Sequence, residues 1–219
     1  GVGFGKKSES IKEKPNKGEL VVLLGGDNYR IGMGGAAVSS TDTGSNINSL
    51  ELNAVQRSNP EMQKRVSNVI RALVEKNKNP IISIHDHGAG GHLNCLTELM
   101  EETGGDINID KFPIGDPTLS LKEILGNESQ ERMGLIVNKK NINLVKKIAD
   151  RERSPIYVVG KITNNNKFKF YSKKNNETAI DLSNKDLFGS SPKKILIDNS
   201  VEKSFTKIIY NDKKVKKYL

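Results

Sequence analysis

Pro80-Ile81-Ile82-Ser83-Ile84-His85-Asp86-His87-Gly88-Ala89-Gly90-Gly91 is the stretch that decides the fold class. An apolar run of strand length leads into polar residues and glycines, and leucines then recur at helical spacing over residues 93–100. A strand that turns through glycines into a helix is the repeating unit of α/β proteins, and ligands usually bind where such strands end. The stretch therefore predicts a sheet covered by helices, with a candidate ligand site after the strand.

Strand and helix patterns alternate on both sides of this unit. Asn59-Pro60 is typical of a helix start, with Asn59 as the N-cap and Pro60 as the first helical residue. We predict further strands over residues 19–24, 107–109 and 132–137, and helices over residues 60–76, 121–126 and 141–152. Residues 156–162 and 167–171 are predicted to pair as a hairpin, because Phe168 and Phe170 alternate with lysines after the turn.

The domain organisation follows from these patterns. Residues 1–18 are rich in glycine and lysine and are predicted to be a linker, and residues 19–182 to be one domain. Residues 183–219 have little hydrophobic periodicity and are predicted to be a connector. The sequence begins at Gly1 instead of Met, which favours a piece of a longer polypeptide.

Composition narrows the function classes. The 219 residues carry a net charge of +9, which raises the question of a nucleic-acid partner. Only 5% of the residues are aromatic, and the positive charges are mostly lysines towards the two ends of the chain. Both features disfavour a nucleic-acid partner. No apolar stretch approaches the roughly 20 residues of a membrane span, and no signal peptide is recognised. With a single cysteine, these features predict a cytoplasmic protein without a disulfide framework.

The first candidate site is the glycine turn. Asp86 is a carboxylate that suits the hard cation Mg²⁺, and Gly88, Gly90 and Gly91 let a phosphate approach backbone N–H groups near a helix start. The alternative is an ordinary glycine-rich turn that Asp86 caps. The neighbouring histidines lack a third zinc ligand at a recognisable spacing, which favours a structural role for them.

The second candidate site is Glu128-Ser129-Gln130, which offers a carboxylate, a hydroxyl and an amide in succession. These groups suit ribose hydroxyls and amides, although a simple polar loop is an equal alternative. Gln56, just before the predicted helix start, is a third candidate.

Two features resemble functional sites but are interpreted as structural. Residues 32–37 fit the dinucleotide pattern G-x-G-x-x-A, but Ser39-Ser40-Thr41-Asp42 follows where that site needs a long amphipathic helix. Cys95 lies between leucines of a predicted helix without a partner base nearby, so we predict a packed side chain and no nucleophile.

Five motifs together resemble one enzyme family, the long form of phosphoribosylformylglycinamidine synthase. They occur in the family's order and lie within residues 1–195, the span of the resemblance. The motifs are residues 25–37, 55–62, 85–91, 127–132 and 150–153.

The resemblance implies a fold and a reaction. The implied fold is the C-terminal subdomain of the first synthetase half, an α+β layered structure with a mixed sheet, as in aminoimidazole ribonucleotide synthetase. The family uses ATP and glutamine-derived ammonia to convert formylglycinamide ribonucleotide to formylglycinamidine ribonucleotide in purine biosynthesis. Residues 1–18 would then follow a missing ATP-binding subdomain, and residues 183–219 would lead towards the second synthetase half.

The resemblance also implies residue roles. Asp86 matches a Mg²⁺-binding aspartate, and Gln56, Glu128, Ser129 and Gln130 match substrate-binding positions. The family's catalytic histidine and most ATP contacts belong to the preceding subdomain, so no catalytic residue is expected in this chain, and its implied partners are the remaining domains of the same polypeptide. The alternative function is a stand-alone basic module that binds RNA or an acidic partner.

Overall fold

A computed structural model describes most of the chain. The described residues are 12–34, 59–129, 131–190, 192–197 and 204–206, with isolated positions at 5, 7, 38, 41–42, 44–45, 51 and 54. The chain divides into two compact units, Gly1–Gly189 and Ser190–Leu219. In the second unit, residues 192–197 and 204–206 carry neither a helix nor a strand. The predicted domain and connector boundaries remain predictions.

The helices and strands that have defined bounds among the described residues lie in the first unit. The strands are β1 (Leu20–Leu24), β2 (Ile81–Asp86), β3 (Gly105–Asn108), β4 (Met133–Val137), β5 (Ile156–Ile162), β6 (Lys167–Ser172) and β7 (Glu177–Ser183). The helices are α1 (Pro60–Val74), α2 (Gly91–Leu99), α3 (Leu121–Gly126), α4 (Ile142–Arg151) and α5 (Asn184–Phe188). Short 3₁₀ helices lie at Ile109–Lys111 and Lys139–Asn141.

The strands form one sheet in the order β2-β4-β1-β5-β3-β6-β7. Neighbours are antiparallel except for β3 and β6, which run parallel. The expected α+β fold with a mixed sheet is therefore confirmed. No helix in the described part of the chain has both the length and the apolar character needed to cross a membrane.

Helices cover both faces of the sheet, and β1 lies between two cores. Val21 and Leu23 pack into a core with residues of α2 and α3, whereas Val22 and Leu24 pack into a core with residues of α1 and α4. Because successive side chains of a strand point to opposite faces, a strand covered on both faces reads as a continuous apolar run. The sequence Leu-Val-Val-Leu-Leu of β1 has this form.

The start of helix α1 is determined by residues next to it in the sequence. The Asn59 side chain accepts a hydrogen bond from the backbone N–H of Met62 at 3.1 Å, and Pro60 occupies the first turn, as predicted. Val66, Val69 and Leu73 then form the buried stripe of the helix. Asn59 is thereby fixed at one end of the sheet, where it takes part in the site described below.

The predicted hairpin of residues 156–162 and 167–171 is wrong. Strand β3 lies between β5 and β6 and pairs with both, and β6 has β7, which the sequence analysis did not predict, as its other neighbour. Gly160 allows the close approach of β3, because a Cβ there would lie 2.3 Å from the carbonyl oxygen of Asp106. The alternation of Phe168 and Phe170 with lysines indicates which face of β6 is buried. It does not identify the strand that pairs with β6, because burial of a face is compatible with different neighbours.

Candidate functional site

The sheet topology brings three loops to one end of the sheet. Leu24, the last residue of β1, and Asp86, the last residue of β2, both lie opposite Met133, the first residue of β4. The loops that follow β1 and β2 and the loop that precedes β4 therefore start or finish side by side. The described candidate residues lie on the second and third of these loops, at the end of β2 or, for Gly91, at the start of α2.

Backbone contacts hold the three loops together. The N–H of Ser129 donates to the carbonyl of His87 at 2.9 Å, and the N–H of Glu128 donates to the carbonyl of Gly32 at 2.8 Å. Two glycines permit this approach: a Cβ at Gly91 would lie 2.5 Å from the Asn127 carbonyl oxygen, and one at Gly32 would lie 2.3 Å from the Glu128 carbonyl oxygen. Both glycines have a positive φ, so the conformation also favours glycine.

Beneath the loops lies a buried polar cluster, formed by Asn28, His87, His92, Asn127 and Arg132. Arg132 is 0% exposed. Its guanidinium donates to the Asn28 side chain, to His92 Nε2 at 2.8 Å and to the Asn127 carbonyl at 3.0 Å. The Asn28 amide donates in turn to the Pro113 carbonyl at 2.6 Å. One side chain thus connects residues of the first and third loops with His92 of α2.

Burial sets the protonation of the buried polar cluster. Loss of hydration lowers the pKa of Arg132 to about 10, against the opposing effect of the Glu131 carboxylate, and the guanidinium stays charged at neutral pH. Burial, and then the positive charge of Arg132, lowers the pKa of both His87 and His92 well below the ordinary value. The two rings pack edge to face with centroids 4.6 Å apart. Both histidines are therefore neutral packing groups, in agreement with the structural role predicted for His87.

The same loops, together with the start of α1, line an open cavity of about 500 Å³, here called the loop cavity. It is lined by Gly26, Asp27, Tyr29, Arg30, Ile31, Asn59, Asn127, Glu128, Ser129 and Glu131. The structure thus brings Glu128 and Ser129, both predicted from the sequence, together with Asp27 and the N-cap of α1. Residues with carboxylate, hydroxyl and amide groups thus line one cavity, and its volume lies in the range of small-molecule sites.

Asp86 and the glycine turn lie beside the loop cavity and do not line it. The Asp86 side chain is 57% exposed, and a Cβ on Gly88 would lie 3.1 Å from its Oδ2. Gly90 is the N-cap of α2 in the left-handed region, and the N–H of Gly91 already donates to the Gly88 carbonyl at 2.9 Å. Of the three predicted phosphate-loop glycines, Gly91 thus has its N–H bonded within the turn and its Cα close to the backbone of Asn127.

Some predicted positions cannot be placed. Gln56, Gln130 and residues 35–37 lie outside the described residues. The substrate-binding roles of Gln56 and Gln130 therefore stay predictions, as do the other site roles assigned above. Among the described residues, no group of three His, Cys, Asp or Glu side chains is arranged to hold a metal ion.

Several residues of the site were not predicted from the sequence. They are Asn28, His92 and Arg132, which form most of the buried polar cluster, and Glu131, which lines the loop cavity. For Arg132 the sequence contained one indication of a role in the fold, because a charged residue stands directly before the apolar run of β4. The prediction for Cys95 is confirmed: the side chain is buried in the core, and burial raises the pKa of its thiol.

The amino-acid sequence is similar to a known family and to proteins of known sequence. The family model described as AIR synthase related protein, C-terminal domain, matches residues 16–173. The chain is 39% identical over 207 residues to phosphoribosylformylglycinamidine synthase of Dictyostelium discoideum, covering 93% of this chain and 15% of that protein. It is 45% identical over 165 residues to the human protein of the same name, covering 74% of this chain and 12% of that protein.

A solved structure shares the fold. PurL of Thermotoga maritima complexed with FGAR superimposes with a TM-score of 0.73 at 23% identity, covering 94% of this chain and 34% of that chain. The chain spans about 15% of the length of the first curated relative that it matches. On the match to residues 16–173, the chain belongs to the family of C-terminal domains of AIR synthase related proteins.

Proposed function

We propose that this chain is a segment of phosphoribosylformylglycinamidine synthase, the ligase that uses ATP and glutamine to convert formylglycinamide ribonucleotide to formylglycinamidine ribonucleotide. The observation that carries the proposal is the 39% identity to a relative of that name across 93% of this chain. The covered share of that relative, 15%, supports a segment of a longer polypeptide. The remaining domains of that polypeptide are the proposed partners, and the cytoplasm is the proposed location.

The loop cavity is the proposed site for the ribonucleotide. Its volume of about 500 Å³ and its polar lining suit a ligand with hydroxyl, amide and phosphate groups. Glu128 and Ser129 belong to this lining, and Gln56 and Gln130 are proposed to complete it. These side chains would hold the reacting amide of the substrate in position, which is how binding groups contribute to the rate.

Asp86 is the proposed ligand of Mg²⁺. Mg²⁺ commonly takes one or two carboxylates together with phosphate oxygens and water, so a single exposed carboxylate at the end of β2 fits it. Gly88, next to Asp86 Oδ2, would leave room for a phosphate of ATP there, and Gly90 and Gly91 would shape the turn. When bound, the ion would neutralise charge on the transferring phosphoryl group.

The direct test compares two proteins, the complete polypeptide that carries this chain and the 219-residue chain alone. We expect the complete polypeptide to form formylglycinamidine ribonucleotide from ATP, the substrate and either glutamine or ammonia. The chain alone should show no turnover, because the resemblance assigns the catalytic histidine and most ATP contacts to another subdomain. A folded complete polypeptide without this activity would contradict the proposal.

The alternative function, a basic module for RNA or an acidic partner, rests on the net charge of +9. Electrostatic binding to RNA would weaken steeply with salt. Titration of the chain with single-stranded RNA at two salt concentrations separates the alternatives. We expect no tight, salt-dependent binding, and strong RNA binding without any response to the ribonucleotide would favour the basic module.

A further inference from the structure

His85 and Glu98 are paired side chains beside Asp86. His85 and Asp86 are the last two residues of β2, and Glu98 lies in the last turn of α2. His85 Nε2 contacts Glu98 Oε2, and both side chains are partly buried between the strand and the helix. The amide of Asn94 donates to the other carboxylate oxygen, Glu98 Oε1, at 2.9 Å. The carboxylate of Glu98 is therefore held in place from two sides.

The position of Glu98 in α2 calls for an explanation. The backbone carbonyls at the C-terminal end of a helix carry partial negative charge, so a carboxylate in the last turn is unfavourable unless a donor compensates it. All residues of α2 are described, and its last turn contains no basic residue. The compensating donor comes from the neighbouring strand, as the imidazole of His85. The pair thereby fixes the orientation of the His85 ring.

This orientation determines what the second ring nitrogen contacts. His85 Nδ1 lies 2.8 Å from the backbone carbonyl of Asp86, and because a carbonyl can only accept, Nδ1 is the donor. The same nitrogen lies 3.5 Å from Asp86 Oδ1. The other carboxylate oxygen, Oδ2, lies at the glycine turn, since a Cβ on Gly88 would be 3.1 Å from it. The ring thus holds the backbone of Asp86 and one carboxylate oxygen, and it leaves the other directed at the turn.

We propose that His85 and Glu98 are positioning residues for the metal-binding carboxylate of Asp86. Glu98 orients the ring of His85, and His85 holds Asp86 with Oδ2 at the glycine turn, where Mg²⁺ would bind. This inference rests on the proposed function, because it takes Asp86 as the ligand of Mg²⁺. Groups that orient a metal-binding side chain through hydrogen bonds typically contribute about 10- to 100-fold to metal affinity.

Direct coordination of the ion by His85 or Glu98 is the competing role. In the described part of the chain, no three His, Cys, Asp or Glu side chains are arranged to hold a metal ion. Mg²⁺ also prefers oxygen ligands, whereas imidazole suits softer metals. The two ring nitrogens of His85 are moreover directed at Glu98 and at the Asp86 carbonyl. The geometry therefore favours orientation of Asp86 over coordination.

The test measures metal affinity in the complete polypeptide. In His85→Ala, the Mg²⁺ concentration for half-maximal activity should rise about 10-fold, because Asp86 is no longer held in place. At saturating Mg²⁺, kcat should stay within about 3-fold of the wild type, since the carboxylate itself remains. Binding of Mn²⁺, followed by electron paramagnetic resonance, measures the affinity without turnover and should weaken by the same factor. Asp86→Asn identifies which bound Mn²⁺ belongs to this site.

A double-mutant cycle distinguishes positioning from a structural role. Because Glu98 acts on Asp86 through His85, Glu98→Ala should weaken Mn²⁺ binding about 3- to 10-fold, and adding it to His85→Ala should cause no further loss. His85→Asn keeps a donor at the position of Nδ1 and should bind Mn²⁺ within about 3-fold of the wild type. Glu75→Ala removes a paired carboxylate at the end of α1 and is the matched control, with unchanged Mn²⁺ binding.

The outcomes separate the inference from the proposed function. If Asp86→Asn weakens Mn²⁺ binding but His85→Ala and Glu98→Ala do not, the inference is overturned and Asp86 remains the ligand. The pair would then only attach α2 to β2, and the two alanine variants would differ from the wild type in urea denaturation alone. Additive losses in the double variant also overturn the inference.

Two further results bear on Asp86 and on the reaction. Unchanged Mn²⁺ binding in Asp86→Asn overturns the assignment of Asp86 and the inference with it. A complete polypeptide that binds Mn²⁺ but forms no formylglycinamidine ribonucleotide overturns the proposed function, and the Mn²⁺ affinities of the variants still decide the inference. If His85→Ala fails to fold, the comparison of Glu98→Ala with the wild type decides it.

Discussion

The buried polar cluster and the loop cavity are built from neighbouring residues of the same loops, yet their polar groups do different things. Asn28 and Arg132 bond to each other inside the protein, whereas their sequence neighbours Asp27 and Glu131 line the cavity. In the cluster, both terminal nitrogens of the Arg132 guanidinium donate to protein acceptors, whereas its Nε and the two ring nitrogens of His87 have no hydrogen-bond partner among the described residues. Glu131, which lines the cavity, also has a buried carboxylate oxygen, Oε2, without a hydrogen-bond partner in the described part of the chain. Because the hydrogen bonds of Arg132 join residues from different loops, we infer that the cluster fixes the loops, and the proposed role of the cavity residues is to bind a ligand.

If this division is correct, the largest loss of stability follows from Arg132→Ala. The substitution leaves the Asn28 and Asn127 acceptors and His92 without their common donor, and it empties a buried volume. We expect the free energy of unfolding to fall by about 3 to 5 kcal/mol, measured by urea denaturation. Arg71→Ala, at an exposed position on α1, should change it by less than about 0.5 kcal/mol. Equal effects of the two substitutions would contradict the assignment.

The next effect is a pH dependence of stability caused by His87 and His92. Both have a lowered pKa and remain neutral in the folded protein, whereas in the unfolded chain they take up protons near pH 6.5. The unfolded state therefore binds more protons, and stability falls as the pH decreases through this value. We expect a loss of about 2.5 kcal/mol between pH 7 and 5.5.

Two features make this measurement specific to the histidines. Carboxylates with a lowered pKa, such as Asp110 and Glu123, lose their contribution only at more acidic pH. His92→Gln should remove about half of the pH dependence whatever its effect on stability at pH 7. A pH dependence unchanged in that variant would show that His92 is protonated in the folded protein.

A smaller loss is expected from Gly91→Ala, which separates two of the loops without removing a polar group. The new methyl group would lie 2.5 Å from the Asn127 carbonyl oxygen, at a φ of +58°. We expect a destabilisation of about 2 kcal/mol in thermal or urea unfolding. Gly126→Ala is the matched control, because a Cβ there meets nothing within 4 Å. Similar losses at both glycines would exclude the loop contact as the cause.

The smallest change in stability is expected for Asp86→Asn. The side chain is 57% exposed, so the free energy of unfolding should change by less than about 0.5 kcal/mol. In the complete polypeptide, activity should nevertheless fall by about 100-fold or more, and raised Mg²⁺ should restore part of it. An unchanged Mg²⁺ requirement in Asp86→Asn would remove Asp86 from the metal site.

The sequence predicted the parts of this molecule that depend on local signals. Asn59 and Pro60 predicted the start of α1, and the apolar run of β1 predicted a strand, which the structure shows to be buried on both faces. The strands that pair with β5 and β6 were not predictable in this way. Alternation of apolar and polar residues identifies only the buried face of a strand, whereas strand pairing depends on residues distant in the sequence.

The site was predicted in a similarly partial way. Glu128 and Ser129 were recognised as polar residues in a loop, and the structure places both at the loop cavity. The buried polar cluster was not recognised, because charged and polar residues usually indicate solvent exposure. Only the fold shows that Arg132 is enclosed by partners that lie 40 and 104 positions away in the sequence.

Cys95 gives the molecule a built-in chemical reporter. It is the single cysteine of the chain, and its sulfur packs so closely on β4 that a Cβ at Gly134 would lie 2.6 Å from it. A thiol-alkylating reagent can therefore react only when α2 moves away from the sheet, and the labelling rate measures how often that opening occurs. Because α2 also carries His92, the same rate follows the attachment of the helix to the loops, and a bound ligand that tightens the loops should slow the labelling.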